Sequence, residues 1–459
     1  MILDMGCAWA RVTATPDERN WVMNYLSFRS TSVRGPEIVT PLYLFSGGEL
    51  YAPAGLTTRL AVRAREAGLE AVVRKRYTRE SLPRIQSFPT DTVLRRHQEE
   101  ALRFVEDNDG RCIIQHCTGS GKGTLIAYLC GAYREQTICV VVTSRRLAEE
   151  MKERIWKVAR VRVGVIGAGN HDRPKRVMVV VTNSLPRQKK EWFERFDVVI
   201  GDEVHGAASE GYWTSMMRFT QAPTRIGFSA TVTDRADKKT AFVIAAFGPI
   251  VHRYTPTQAE ADGVIAKALL RMPPFWHPHH SVANGYADWE RTAIAENEDR
   301  NRKIAMLLDT VQTPALVFVR LTDHAEELAG LIREATNKNV AYVHGKMPIA
   351  ELNRSLRRLG NGDLDVVVSA PILKQGVDIP SIRTVINASA MKATIDTIQK
   401  LGRGSRITEG KSSFDVFDIA DVGCGCKGER RHASCRWLET HTEERRDSYE
   451  KYGYVVRAY

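Results

Sequence analysis

Residues Gln115–Thr124 read QHCTGSGKGT. Ahead of them, Arg111–Gln115 (RCIIQ) is short, apolar and β-branched, the composition of a buried strand. Behind them, Leu125–Tyr133 has helical spacing and no glycine until Gly131. Strand, glycine-rich loop and helix in that order form the context that a phosphate-cradling loop requires. Gly119 and Gly121 let the backbone turn so that successive N–H groups face one anion, and the helix behind adds the positive end of its dipole. Lys122 is placed to reach the outer phosphates as a point charge. Thr118, Gly119, Ser120, Gly121, Lys122, Gly123 and Thr124 are therefore the candidate nucleotide-binding loop.

One position departs from the motif. After Gly-Lys a Ser or Thr normally offers its hydroxyl to Mg²⁺, and here Gly123 stands there with Thr124 one place on. A one-residue step along a helix turns a side chain by about 100°, so Thr124 is a poor direct substitute as a metal ligand. Either the end of the loop is locally reshaped, or the metal is held by water and a downstream acidic residue.

A chain of 459 residues is too long for one core, and about two to four domains are expected. With 43% hydrophobic and 26% charged residues it has the composition of a soluble globular protein. No apolar run reaches the length of about 18 residues that a membrane span needs. The start, MILDMGCAWARVT, carries an acid at Asp4 and lacks the basic-then-apolar order of a secretory signal. Eight cysteines are scattered, some in apolar strands (Cys112, Cys139), which suits a reducing cytosol better than a disulfide framework. A net charge of +12 and a pI near 9.3 favour a polyanionic partner. That charge becomes informative only beside a motor motif.

Residues 1–88 form a first unit, a small α+β module. Thr40–Phe45 (TPLYLF) reads as a strand with Pro41 near its start. Leu56–Ala67 reads as a helix closed by Gly68, and Leu69–Val73 as a strand running into Arg74-Lys75-Arg76. Composition fits a structural cap on the rest and a duplex-binding role about equally. Pro83 and Pro89 bracket a linker.

From Leu94 the pattern becomes strand–helix alternation, the mark of a parallel α/β sheet. Gln98 lies one helix upstream of the loop, where its amide is expected to read adenine. Ile138–Thr143 (ICVVVT) is a strand followed by Ser144 and Arg145, and Val177–Thr182 is another, ending in Thr182. Strand ends in such sheets face the ligand crevice, so these groups are candidate contacts to nucleic-acid phosphates. Phe196–Ile200 (FDVVI) delivers Gly201-Asp202-Glu203-Val204-His205. Two adjacent carboxylates at the end of a buried strand are costly unless they serve a cation or a reaction. Asp202 is the candidate Mg²⁺ holder, directly or through water, and Glu203 the group that orients and deprotonates an attacking water. Arg225–Thr231 (RIGFSAT) ends in small hydroxyls, Ser229 and Thr231, placed to couple the acidic site to a neighbouring lobe.

TGSGKGT, GDEVH and SAT in this order resemble the motor core of superfamily 2 helicases of the DExH kind. The second half continues the resemblance. Ala315–Val319 (ALVFV) is a strand, His344–Met347 reads HGKM, and Asp365–Ser369 leads to Gln375–Ile382 (QGVDIPSI). Gln399–Arg406 (QKLGRGSR) matches the last motif of that family. The resemblance spans about residues 94–420 and implies two tandem RecA-like parallel-sheet lobes with ATP in the cleft between them. It implies domains at 1–88 (accessory α+β), 89–255 (ATP-binding lobe 1), 256–420 (lobe 2) and 421–459 (tail). By the same resemblance Asp378 touches the nucleotide, while Arg403 and Arg406 reach the γ-phosphate. An arginine supplied in this way is worth roughly 10³–10⁵ in rate in related NTPases. His205 and Gln399 link nucleotide state to strand contacts, and His344 and Ser369 touch the nucleic-acid backbone. Ser369 takes that part because Ala370 stands where the family often has Thr.

DEVH, the VDIP segment and the small N-terminal module resemble the compact DNA helicases of double-stranded-DNA phages, the UvsW type, which remodel branched DNA. That implies ATP and Mg²⁺ as cofactors, and branched DNA or a single-strand/duplex junction as partner. It also implies recombination or replication proteins as possible partners, and the cytoplasm (of the host, if phage-encoded) as location. An RNA helicase, a nucleotide switch with little hydrolysis and the motor of a restriction system are the alternatives, the switch resting on Gly123. In the tail, Cys424, Cys426, His432 and Cys435 have spacing unlike a zinc site and read as free thiols in a basic loop. Trp437–Tyr452 reads as a charged helix.

Overall fold

Alternation of apolar and polar residues builds the first sheet: in Ile2–Met5 (β1) every second residue is buried, and Trp9–Thr13 (β2) follows the same pattern. The computed structural model describes the chain except for residues 32–36, 78–80, 168, 233–239, 278–284, 371–380, 392–403, 409, 426–432 and 458–459. It divides into two compact units: Met1–His116 with Gly121–Tyr254, and Thr255–Tyr459 with the loop Cys117–Ser120.

The N-terminal module adds α1 (Pro16–Tyr25), β3 (Ser27–Thr31), β4 (Glu37–Pro41), β5 (Leu44–Ser46), β6 (Glu49–Pro53), α2 (Thr57–Glu66) and β7 (Val72–Lys75). Thr15 closes the start of α1 with Glu18 in a capping box. The sheet runs β5-β6-β2-β1-β7, while β3 and β4 form a separate antiparallel hairpin. The continuous strand expected over Thr40–Phe45 is two strands instead. Pro41, which cannot donate a ladder hydrogen bond, ends β4, and Leu44 begins β5. The module is docked within the first unit. Phe28 meets Phe242 edge-on at 5.5 Å, Trp9 meets Trp213 at 6.1 Å, and a Cβ at Gly55 would strike the Ile244 and Ala245 carbonyls.

The remainder of this unit is α3 (Arg96–Asp107), β8 (Arg111–His116), α4 (Lys122–Ala132), β9 (Ile138–Val142), α5 (Arg145–Ala159), β10 (Val163–Gly167) and β11 (Asn170–His171). After these come β12 (Val177–Val181), α6 (Lys190–Phe193), β13 (Val198–Asp202), α7 (Glu210–Met217), β14 (Thr224–Ser229), α8 (Thr240–Phe247) and β15 (Ile250–Tyr254). The sheet order is β11-β10-β12-β9-β13-β14-β8-β15, parallel except at β11. Strands β8, β9, β12 and β14 are buried along their whole length, as a sheet covered on both faces demands. The fully buried Arg225 on β14 donates to the carbonyls of Ala222, Met216, Phe219 and Ala246, and so fastens the ends of α7 and α8.

The second unit holds α9 (Pro256–Ala261), β16 (Lys267–Arg271), β17 (Pro274–His277), α10 (Tyr286–Trp289), α11 (Glu298–Thr310), β18 (Ala315–Phe318), α12 (Thr322–Ala335) and β19 (Val340–Val343). It continues with α13 (Ile349–Asn361), β20 (Val366–Ser369), β21 (Thr384–Asn387), β22 (Ser413–Asp418), β23 (Ala420–Cys424), α14 (Ala433–Lys451) and β24 (Val456–Arg457). Its parallel sheet runs β19-β20-β18-β21-β22-β16-β24, with β17 and β23 as a separate pair. Residues 421–459 are therefore not an appended tail: β23 crosses the expected boundary, β24 extends the sheet beside β16, and Tyr449 on α14 lies in the core. Cys424 is buried in β23 rather than in a basic loop. Cys426, His432 and the Cys435 side chain lie outside the described residues. No described helix is long and apolar enough to cross a membrane.

Candidate active site

The loop after β8 has the backbone its glycines foretell. Gly119 and Gly121 take φ of 86° and 91°, in the left-handed region, and turn the chain into α4. A Cβ at Gly121 would lie 2.6 Å from Gln98 Nε2. The Ser120 hydroxyl closes the turn by donating to the Cys117 carbonyl at 2.8 Å. Lys122 is buried at the first turn of α4, its ammonium donating to the His116 carbonyl at 3.1 Å. Beneath it, His116 Nε2 and His252 Nδ1 share a hydrogen bond of 2.7 Å, and His97 stacks on Tyr254 at 3.9 Å. Burial, and after it His252, His97 and Lys122, hold the His116 ring well below the usual histidine range, so this ring is uncharged.

Two strands away, β13 ends on Asp202, and Glu203 follows in the left-handed region at φ 50°, uncommon for a residue with a side chain. Its N–H donates to Asp202 Oδ1 at 3.0 Å. Burial first, and then the neighbouring Glu203, push the Asp202 carboxyl up to about 7, while Lys122, the Glu203 N–H and Arg154 pull it down. Glu203 Oε2 lies 3.3 Å from His205 Nδ1 and 3.3 Å from the Ser229 hydroxyl. Ser229 Oγ is also 3.1 Å from His205 Nδ1 and accepts from the Thr231 N–H at 3.3 Å. The end of β14 is thereby wired to the acidic pair inside the first unit.

Two adjacent carboxylates under electrostatic pressure are a donor set that suits a hard divalent cation. The hydroxyl half of such a shell is different. Gly123 has none to give, and the Thr124 hydroxyl accepts from Arg154 Nη1 at 3.5 Å.

Other expected site residues behave unevenly. Gln98 does not face outward to read a base. It is 4% exposed, its Oε1 accepts from the Arg95 N–H at 2.9 Å, and its Nε2 donates to the Gly121 carbonyl at 3.2 Å. It braces the loop. Ser369 is fully buried with its hydroxyl donating to the Ala370 carbonyl at 2.8 Å, so it is withdrawn as a backbone contact. Ser144 caps α5, accepting from the Leu147 N–H at 3.3 Å, next to the exposed Arg145. Thr182 begins a short 3₁₀ turn, and His344 is half-buried, with Nδ1 accepting from the Lys346 N–H at 3.3 Å. Arg406 is exposed in an irregular segment. Asp378, Gln399 and Arg403 lie outside the described residues. The histidine floor and Arg154 left no local trace in the sequence, since both come together only through the fold.

Residues 91–234 match the type III restriction enzyme res-subunit family, and residues 301–408 match the helicase conserved C-terminal domain. The chain is 24% identical over 373 residues to the ATP-dependent DNA helicase uvsW of Enterobacteria phage T4, covering 76% of this chain and 74% of that protein. To the DNA 3'-5' translocase XPB2 of Sulfurisphaera tokodaii it is 25% identical over 350 residues, covering 68% of this chain and 78% of the other. Among solved structures, the ATP-dependent Type ISP restriction-modification enzyme LlaBIII bound to DNA matches at a TM-score of 0.57 and 17% identity, over 84% of this chain and 32% of that one. The sheets are those of RecA-like lobes, and the protein is an ATP-dependent helicase. Helicases of this class use ATP, typically with Mg²⁺. The two helicase regions and the uvsW match support a superfamily 2 helicase related to the phage UvsW-type helicases.

Proposed function

We propose that the chain is a DNA helicase or translocase that remodels branched DNA in recombination, repair or replication. The observation that carries the nucleotide half of this reading is the left-handed turn at Gly119 and Gly121 that sets the buried Lys122 at the start of α4, in the same sheet whose β13 ends on Asp202. Two relatives that each match more than two thirds of the chain are named as a DNA helicase and a DNA translocase, and this supports DNA over RNA.

Bound ATP with Mg²⁺ supplies the γ-phosphate and the charge that screens it. Lys122 and the loop amides of Thr118–Thr124 would hold the phosphates, and Asp202 would hold the metal. Glu203 takes the proton from the attacking water, and Ser229 and His205 fix its carboxylate. By the family resemblance Arg403 and Arg406 would stabilise the developing charge, Asp378 would touch the nucleotide, and Gln399 with His205 would link nucleotide state to strand contacts. Arg145, Ser144, Thr182 and His344 serve the nucleic-acid backbone. Residues 1–88 act as an accessory domain to a first lobe at 89–255 and a second lobe that runs from 256 through β24.

The test is ATP hydrolysis without nucleic acid and with single-stranded DNA, branched DNA or RNA, each at two salt concentrations. Strong stimulation by branched DNA that falls with salt supports the proposal. Stimulation by RNA alone replaces DNA as substrate, and absence of hydrolysis with ATP still bound makes the chain a switch.

A further inference from the structure

Gly123 removes a hydroxyl from the place where nucleotide sites of this kind use one, and a cation from another helix fills the space. A Cβ at Gly123 would stand 3.2 Å from both Cδ and Nε of Arg154 and 3.4 Å from its Cζ. The side chain of a Ser or Thr at 123 would therefore project into the guanidinium. Arg154 lies on α5 between Met151 and Ile155, both buried in the core that α4 and α5 share, so the helix cannot slide to release it. Among the described residues the guanidinium forms no ion pair, and its hydrogen bond is to the Thr124 hydroxyl at 3.5 Å. A half-buried arginine beside a phosphate loop, held on a fixed helix, with no ion pair among the described residues and only the longer-range attraction of Asp202 opposite it, is an anion ligand by its chemistry: the planar fork matches phosphate oxygens two at a time.

We propose that Arg154 is a direct ligand of the nucleotide's phosphates, a built-in cation that stands where the missing hydroxyl would have recruited Mg²⁺. This inference rests on the nucleotide-site reading above and adds a consequence that reading does not carry. Nucleotide binding in this chain depends weakly on divalent metal, because part of the phosphate charge is met by a guanidinium that is always charged. Metal is then required at Asp202 for turnover rather than for holding the nucleotide.

The experiment is equilibrium binding of a fluorescent ATP analogue to the full chain, in excess EDTA and in Mg²⁺, with circular dichroism to confirm folding of each variant. The wild type should lose no more than about threefold in affinity on removing metal, while Arg154→Ala and the neutral, hydrogen-bonding Arg154→Gln should each lose about tenfold or more in EDTA. In Gly123→Ser combined with Arg154→Ala, the restored hydroxyl should recover binding in Mg²⁺ but not in EDTA. Folded Arg154→Ala and Arg154→Gln proteins that bind as the wild type does in both buffers overturn the proposal. Lys122→Ala separates it from the reading beneath: if Lys122→Ala loses binding and the Arg154 variants do not, only the Arg154 proposal falls. If the wild type itself binds no nucleotide, both fall.

Discussion

Glu203 combines a strained backbone with a carboxylate held from two sides, at 3.3 Å from His205 and 3.3 Å from Ser229. Such strain persists where the surroundings over-determine a position, as they do at reaction centres. Replacing Glu203 with Gln keeps the shape and removes the base. Glu203→Gln should bind ATP with near-normal affinity and hydrolyse it roughly 10²–10⁴-fold more slowly; turnover close to wild type in a steady-state assay removes Glu203 from that role. Gly121 carries a different constraint, because a side chain there meets both a positive φ of 91° and the Gln98 amide. Gly121→Ala should weaken nucleotide binding at least as much as Gln98→Ala, read by the same fluorescent analogue. Sequence order alone made Lys122, Asp202 and Glu203 legible, because a motif encodes spacing. It did not show that Gln98 also braces the loop, since nothing local says that its amide meets Arg95 at one end and Gly121 at the other.

At the scale of elements, the second unit is pinned by two buried charged knots. Asp421 on β23 receives Arg300 Nε at 2.8 Å and pairs with His277 at 2.9 Å. Burial alone would raise its carboxyl, but Arg300, with the hydrogen bonds from His277 and Arg300, holds it below the usual range. Asp418 on β22 receives Arg445 Nε from α14 at 3.0 Å and Asn387 Nδ2 at 2.9 Å. Removing one partner of a buried pair leaves the other charge uncompensated, so Arg445→Ala should lower the stability of this unit by about 3–5 kcal/mol in chemical denaturation. His324 on α12 gives a pH signature. Burial, then Arg300, hold it at about 3, against about 6.5 when unfolded. The unfolded chain therefore binds more protons below pH 6.5. This unit keeps its full stability above that pH and loses up to about 1.4 kcal/mol per pH unit as pH falls toward 3. His324→Gln, which cannot titrate, should flatten that slope in melting curves taken between pH 6.5 and 4.5. The strands that were legible were the uniformly apolar ones, such as β9 and β12. β15, with most of its residues only partly covered, and the two-residue β24 carry no such run and went unread.

Across the whole molecule, a surplus of 12 positive charges sits on a chain with a phosphate loop, an acidic pair and family matches to both helicase regions. Nucleic-acid affinity carried by backbone contacts should show a steep negative slope of log affinity against log salt, and Arg145→Ala should reduce that slope by about one unit. Binding curves at four salt concentrations decide it. The motif order gave the two-lobe architecture directly. The limit of the second lobe was not legible, because the elements that finish it are short, polar or charged in sequence and declare themselves only by pairing with β16 and β21.

That last feature sets where the protein can be cut. The match to the helicase conserved C-terminal domain stops at residue 408, yet β22 begins at Ser413 and fills the place between β21 and β16. A fragment trimmed to the homology would bare two strand edges and leave Arg300 buried without Asp421. Unpaired edges invite intermolecular pairing, so such a fragment should precipitate on expression, whereas one carried through Arg457 should stay monodisperse.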